Sequence, residues 1–133
     1  MLYFEDIEIG DKYSAGPYVL EAYEIKVFAA KWDPFDFHID DEVAEASIYG
    51  GLTAPGVLRL CVSNRLCHDF ESWAIQAMFG AEYRFPNPAR VDDQLALERV
   101  VTSKRESQSA PLPSAAALHI AACPGLPTTS TMW

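Results

Sequence analysis

Basic residues are scarce in this chain: 10 Lys and Arg stand against 19 Asp and Glu, a formal net charge of -9 at pH 7. Such a surface repels nucleic acid and anionic membranes on approach, so neither is expected as a partner, and an acidic ligand has to be met by a local basic spot. Cysteine is scarce too, with three in 133 residues at no regular spacing. That excludes a disulfide framework and points to reduced thiols. Cys67-His68 is a Cys/His neighbour pair without the second half of a zinc spacing, so no metal is expected. No apolar run is long enough to span a bilayer, and Met1 to Asp6 lacks the basic and apolar regions of a signal peptide. A cytoplasmic protein is expected. Length argues against two ordinary domains, while 50% hydrophobic and 12% aromatic residues supply enough apolar surface for one core.

What is present divides into helical and extended patterns. Residues 4–20 alternate weakly around Ile7 and Ile9, turn at Gly10-Asp11 and resume after Gly16-Pro17, which predicts short extended segments. From Glu21, the residues Ile25, Phe28, Ala29 and Trp32 fall at helical spacing. Pro34 disfavours the helical conformation at Asp33, so the helix is predicted to end there, with a loop from Pro34 to Ile39. Asp40 or Asp41 caps a short second helix through Ala46, and Gly50-Gly51 closes it. After Pro55-Gly56 the segment from Val57 to Phe70 is apolar on most of its circumference, as expected of a central helix buried on several sides. Ala77, Phe79, Ala81, Tyr83 and Phe85 then alternate as one strand face, Pro86 and Pro88 break it, Asp92-Asp93 turn the chain, and Leu95 to Thr102 returns as a strand. Helices followed by antiparallel strands give an α+β class. From Ala110 to Trp133 there is no Asp, Glu, Lys or Arg. The Ala-rich stretch inside that tail completes the sheet as a strand or forms a weak helix, and the pattern does not choose between them.

The chemistry concentrates between Phe28 and Gly56. A carboxylate, Asp33, ends one helix, an imidazole, His38, follows in an aromatic loop, and a glycine, Gly56, opens another helix. A base, an acid and a backbone donor at a helix N-terminus are the equipment for acid-base work on a carbonyl compound. Taken singly, an Asp at a helix end is usually a solvated or capping residue and a loop His is usually structural; it is their grouping that points to function. Trp32, Phe35, Phe37, Gly51 and Leu52 flank the group and are candidate pocket residues, although aromatics of this kind more often serve core or interface.

The run D-P-F-D-F-H-I-D at 33–40, with Ala44, Ser47 and Y-G-G-L-T-A-P-G at 49–56, resembles the MaoC-like acyl dehydratases and (R)-specific enoyl-CoA hydratases. Similarity runs from the opening F-E-D-I-E-I-G-D through Y-R-F-P-N-P to about S-K-R-E-S-Q-S. The resemblance implies a hotdog fold over residues 1–109, an antiparallel sheet wrapped around a long central helix, in a homodimer or larger homo-oligomer. It implies that Asp33 and His38 match the catalytic pair, that Gly56 matches the glycine whose N–H holds the thioester oxygen, and that the substrate is an acyl-CoA, with coenzyme A as part of the substrate and no separate cofactor. Two departures stand out. Phe35 and Asp36 occupy positions where the family usually has Asn or Gln and then Pro, and residues 110–133 form an atypical uncharged tail unlike the family's charged, alternating final strands, so the last part of the sheet is expected to be damaged or missing. The expected activity is reversible hydration of a 2-enoyl thioester. Its rivals are a catalytically inactive thioester-binding or assembly module, favoured by the altered loop and tail, and a hotdog thioesterase, disfavoured because Val57 to His68 carries no carboxylate.

Overall fold

A computed structural model describes residues 2–69, 78–106, 116–122 and 128–132. Among the described residues five strands, β1 (Lys12–Val19), β2 (Met78–Glu82), β3 (Gln94–Glu106), β4 (Ala116–Ala122) and β5 (Thr128–Met132), form one sheet in the order β1-β3-β4-β5-β2. The α-helices are α1 (Ala22–Trp32), α2 (Asp41–Ala46) and α3 (Gly56–Cys67). The class is α+β with an antiparallel sheet, as expected. The chain divides into two compact bodies, residues 1–15, 68–84 and 97–133 in one and residues 16–67 and 85–96 in the other.

In the first body Ile7 and Val101 are almost fully buried, with Leu2, Phe4 and Tyr13 packed against them. Lys104 spans the edge of this cluster, its Nζ donating to the carbonyl of Ile7 at 2.6 Å and lying 4.8 Å from the centre of the Phe4 ring. Leu97, Arg99 and Val101 are buried at alternate positions of β3, the period-two signature of a strand. That strand continues past Thr102, where apolar patterning stops, because Lys104, Arg105 and Glu106 still pair with Leu118, Ala117 and Ala116. Ladder bonds use the backbone and do not need apolar side chains. The tail therefore contributes two strands, β4 to β3 and β5 to both β4 and β2. The predicted strand ending at Phe85 stops at Glu82, and its expected start at Ala77 lies outside the described residues.

In the second body α1 starts after Glu21 and ends at Asp33, whose backbone (φ -153, ψ 66) leaves the helix while its N–H still donates to Ala29 at 2.9 Å. Ile25 and Ala29 are fully buried, but Trp32, predicted on the same stripe, is 64% exposed. It occupies the last turn, where the helix is already ending and the buried stripe has stopped. Asp40 caps α2, its Oδ1 accepting from the N–H groups of Glu42 and Val43 at 2.9 and 3.0 Å. In α3 the buried residues are Leu58, Val62 and Leu66, one stripe at helical spacing, while Val57 and Cys61 are exposed. The helix is thus buried along one face and not on several sides, and the expected end at Phe70 lies outside the described residues. β1 runs through Gly16-Pro17, where a break was expected. A proline without an N–H is tolerated on an edge strand, and β1 is an edge of the sheet. Gly16 is required there twice over: its φ is +114, and a Cβ would lie 2.8 Å from the carbonyl oxygen of Leu95. Among the described residues no helix is long and apolar enough to cross a membrane.

Candidate active site

The site grows out of the irregular backbone between α1 and α3. Because Pro34 cannot follow a helical residue comfortably, Asp33 is turned out of α1 and its carboxylate is left about one-quarter exposed. Asp36, Phe37 and His38 then make a single 3-10 turn, with His38 N–H donating to Phe35 at 2.9 Å. This turn carries the His38 side chain inward, where it is buried. The two candidate catalytic groups meet there, with His38 Nε2 3.9 Å from Asp33 Oδ2. That distance is too long for a direct hydrogen bond and short enough for one small molecule to touch both.

The other ring nitrogen explains the arrangement. His38 Nδ1 lies 2.6 Å from the carbonyl oxygen of Thr53, with the Thr53 hydroxyl at 3.4 Å. A carbonyl only accepts, so Nδ1 carries the hydrogen, and in the neutral ring Nε2 presents a lone pair toward Asp33. The Thr53 carbonyl is itself fixed in place. Thr53 bridges Arg90, and the Ala54 N–H donates to Ala89 at 2.7 Å. Leu52, Thr53, Ala54 and Pro55 are all buried, so this orienting contact is shielded from competing water.

Aromatic rings enclose the imidazole on its other side. Phe37 lies 4.4 Å from the His38 ring, stacks on Phe35 at 5.4 Å and 15°, and meets Tyr49 at 5.4 Å. Phe35 itself is 59% exposed, so of the flanking candidates the Phe37 ring touches the His38 ring, while Phe35 meets His38 through its backbone carbonyl and stacks its ring on Phe37. Trp32 is not in this cluster: it lines a groove of about 750 Å³ with Pro17, Tyr18, Tyr23, Val27 and Phe28. Gly51 (φ +146) reaches back to α2 through a bond from its N–H to Ala44, and Arg90 Nη2 donates to the Tyr49 carbonyl. Together these bonds tie the Gly-Gly turn to α2 and to Arg90, the residue that Thr53 bridges.

Gly56 is the first residue of α3, so its N–H has no carbonyl one turn earlier in the helix to bond. Phe85 lies against it, and Arg59, over the Phe85 ring at 5.2 Å, donates to the Asn87 carbonyl at 2.8 Å. Burial pushes the Arg59 pKa below its ordinary value, opposed by the charge of Asp93. Thr53, Arg90 and Phe85 were not assigned functional roles by sequence reasoning. The first acts through its backbone, which has no residue-type signature, and the other two meet the site only through long-range pairing.

No protein-family model matches the chain, and no curated protein matches it. Solved structures do. A MaoC-like dehydratase from Rhodospirillum rubrum is 28% identical, with a TM-score of 0.85 over 99% of this chain and 95% of that one. A monoamine oxidase regulatory protein from Archaeoglobus is 27% identical, with a TM-score of 0.76 over 98% and 91%. An (R)-hydratase from A. caviae involved in PHA biosynthesis has a TM-score of 0.68 over 96% of both chains at 22% identity, a likeness of fold alone. Along nearly its whole length this chain is similar to a MaoC-like dehydratase, and its α+β architecture with an antiparallel sheet fits the hotdog fold of its MaoC-like and (R)-hydratase neighbours.

Proposed function

We propose that the chain reversibly hydrates a 2-enoyl thioester to the 3-hydroxyacyl thioester, with coenzyme A as the carrier on the substrate and no separate cofactor. The observation that carries this reading is the pair of acceptors, His38 Nε2 and Asp33 Oδ2, held 3.9 Å apart. Two acceptors facing one another are both satisfied by a single water, which donates one hydrogen to each. Such a water is oriented and activated in the same step. As its oxygen adds to C3 of the enoyl group, one O–H bond breaks toward the pair, the π electrons move toward the thioester oxygen, and the Gly56 N–H meets the developing charge. The pair returns the proton to C2. In the reading adopted Asp33 takes the proton from water and passes it to the free Nε2 of His38, which delivers it to C2, and the two roles are exchangeable because both groups touch the same water.

The Rhodospirillum rubrum relative is a MaoC-like dehydratase, which agrees with this chemistry run in reverse. We further propose a homodimer or larger homo-oligomer, supported by the exposed apolar side chains of Tyr23, Val27 and Trp32 on α1. The activity is tested by adding crotonyl-CoA and following loss of the enoyl-thioester absorbance while free thiol is measured in parallel. Hydration removes the absorbance without releasing thiol. Thiol release would identify a thioesterase instead, and tight binding with neither signal would identify a thioester-binding module.

A further inference from the structure

We propose that Phe85 is a positioning residue for the reaction, fixing the Gly56 N–H at the start of α3 in the direction the thioester oxygen requires; this rests on the hydratase reading above. Gly56 does not need glycine for its backbone angles, since its φ lies outside the left-handed region, unlike that of Gly50 or Gly51. What it needs is room. A Cβ at position 56 would sit 2.8 Å from Cε2 of Phe85, 3.1 Å from Cδ2 and 3.2 Å from Cζ. The phenyl edge therefore occupies the space that any other residue would fill, and the two positions form one contact.

The ring is held from its own side as well. Arg59, one turn along α3, lies over it at 5.2 Å and is anchored by its bond to the Asn87 carbonyl at 2.8 Å. Pro86 and Pro88 flank Asn87, and each fixes its own φ and restricts the residue before it. Phe85 thus rides on a stiff segment tied to the same helix whose first residue it lies against. A phenyl edge against a helix start also keeps water from one side of that donor, which raises its value to a developing oxyanion. Truncating the ring leaves the glycine in place and frees its peptide to tilt.

The test measures crotonyl-CoA hydration by the intact chain and by Phe85→Ala, Phe85→Tyr, Gly56→Ala and the double variant Gly56→Ala/Phe85→Ala. Phe85→Ala is expected to lower kcat roughly 10–100-fold with little change in KM, and Phe85→Tyr, which keeps the ring, to retain most of the activity. Gly56→Ala pushes the ring off the helix start and loses a similar factor, so the double variant is no worse than either single one. Losses that multiply in the double variant, or a Phe85→Ala effect confined to KM, would overturn the inference. If the unaltered chain has no turnover, the hydratase reading fails separately, and positioning is read from the backbone amide resonance of Gly56 on adding butyryl-CoA, a saturated thioester. A shift in the unaltered chain that is reduced in Phe85→Ala supports the inference. No shift, or an equal shift in both, overturns it.

Discussion

One ring nitrogen of His38 is committed to a carbonyl and the other is left to receive, and that division is what makes a buried imidazole useful beside a carboxylate. The pair itself was legible, because a proline after Asp33 and an aromatic loop before His38 predict that the two side chains leave helical geometry together. Thr53 was not, since a backbone carbonyl fifteen residues away has no side-chain signature and is aligned by its bridge to Arg90 and by the bond from the Ala54 N–H to Ala89. The exposure of Trp32 was not legible either: periodicity gives the face of a helix but not how far along it the covering elements extend. Tyr18 shows a second local effect that no motif announces. Its hydroxyl donates to Glu24 at 2.6 Å, and this bond, with burial and the Glu24 charge, pushes its pKa up from 10.0 to about 12. A raised phenol pKa means that the stabilising contribution is complete below pH 10.0 and is lost as pH rises through about 12. Phenolate absorbance, with Tyr18→Phe as the subtraction control, should show this group titrating late, and Glu24→Gln should bring its pKa down toward 10.0. An unchanged titration in Glu24→Gln would contradict the assignment.

Among the elements, those with chemical punctuation were read closely. Glu21 and Asp33 bound α1 and Asp40 caps α2, because capping and proline effects act within a few residues of the chain. Elements defined by pairing were read poorly: β1 passes through Gly16-Pro17 because it is an edge strand, and β3 outlasts its apolar pattern because β4 is beside it. Residues 110–133 are the extreme case, with no charge pattern to read and two strands to supply. We propose that this tail stands in for the final strands of the fold. Truncation after Ser109 removes the partners of both β3 and β2, since β5 is the neighbour of β2 in the sheet. The shortened chain is expected to lose more than about 4 kcal/mol in denaturant melts or to fail to fold, a large part of an ordinary domain's stability. An unchanged melt would show that the tail contributes nothing to the sheet.

For the whole molecule, the exposed apolar side chains of α1 and the edge position of β1 and β2 are costs that a partner copy would offset. Sedimentation at micromolar concentration is expected to show a dimer or larger species, and a well-behaved monomer would count against that assembly. The central claim is that the intact protein hydrates an enoyl thioester with Asp33 and His38 acting as one unit on one water. The most direct measurement is the rate of crotonyl-CoA hydration by the unaltered protein, Asp33→Asn, His38→Ala and the double variant, each checked for an intact fold. Each single substitution should lower turnover about 10²–10⁴-fold, and the double variant should be little worse than either, as expected for groups that share a step. Single variants that hydrate crotonyl-CoA at the unaltered rate would contradict the account.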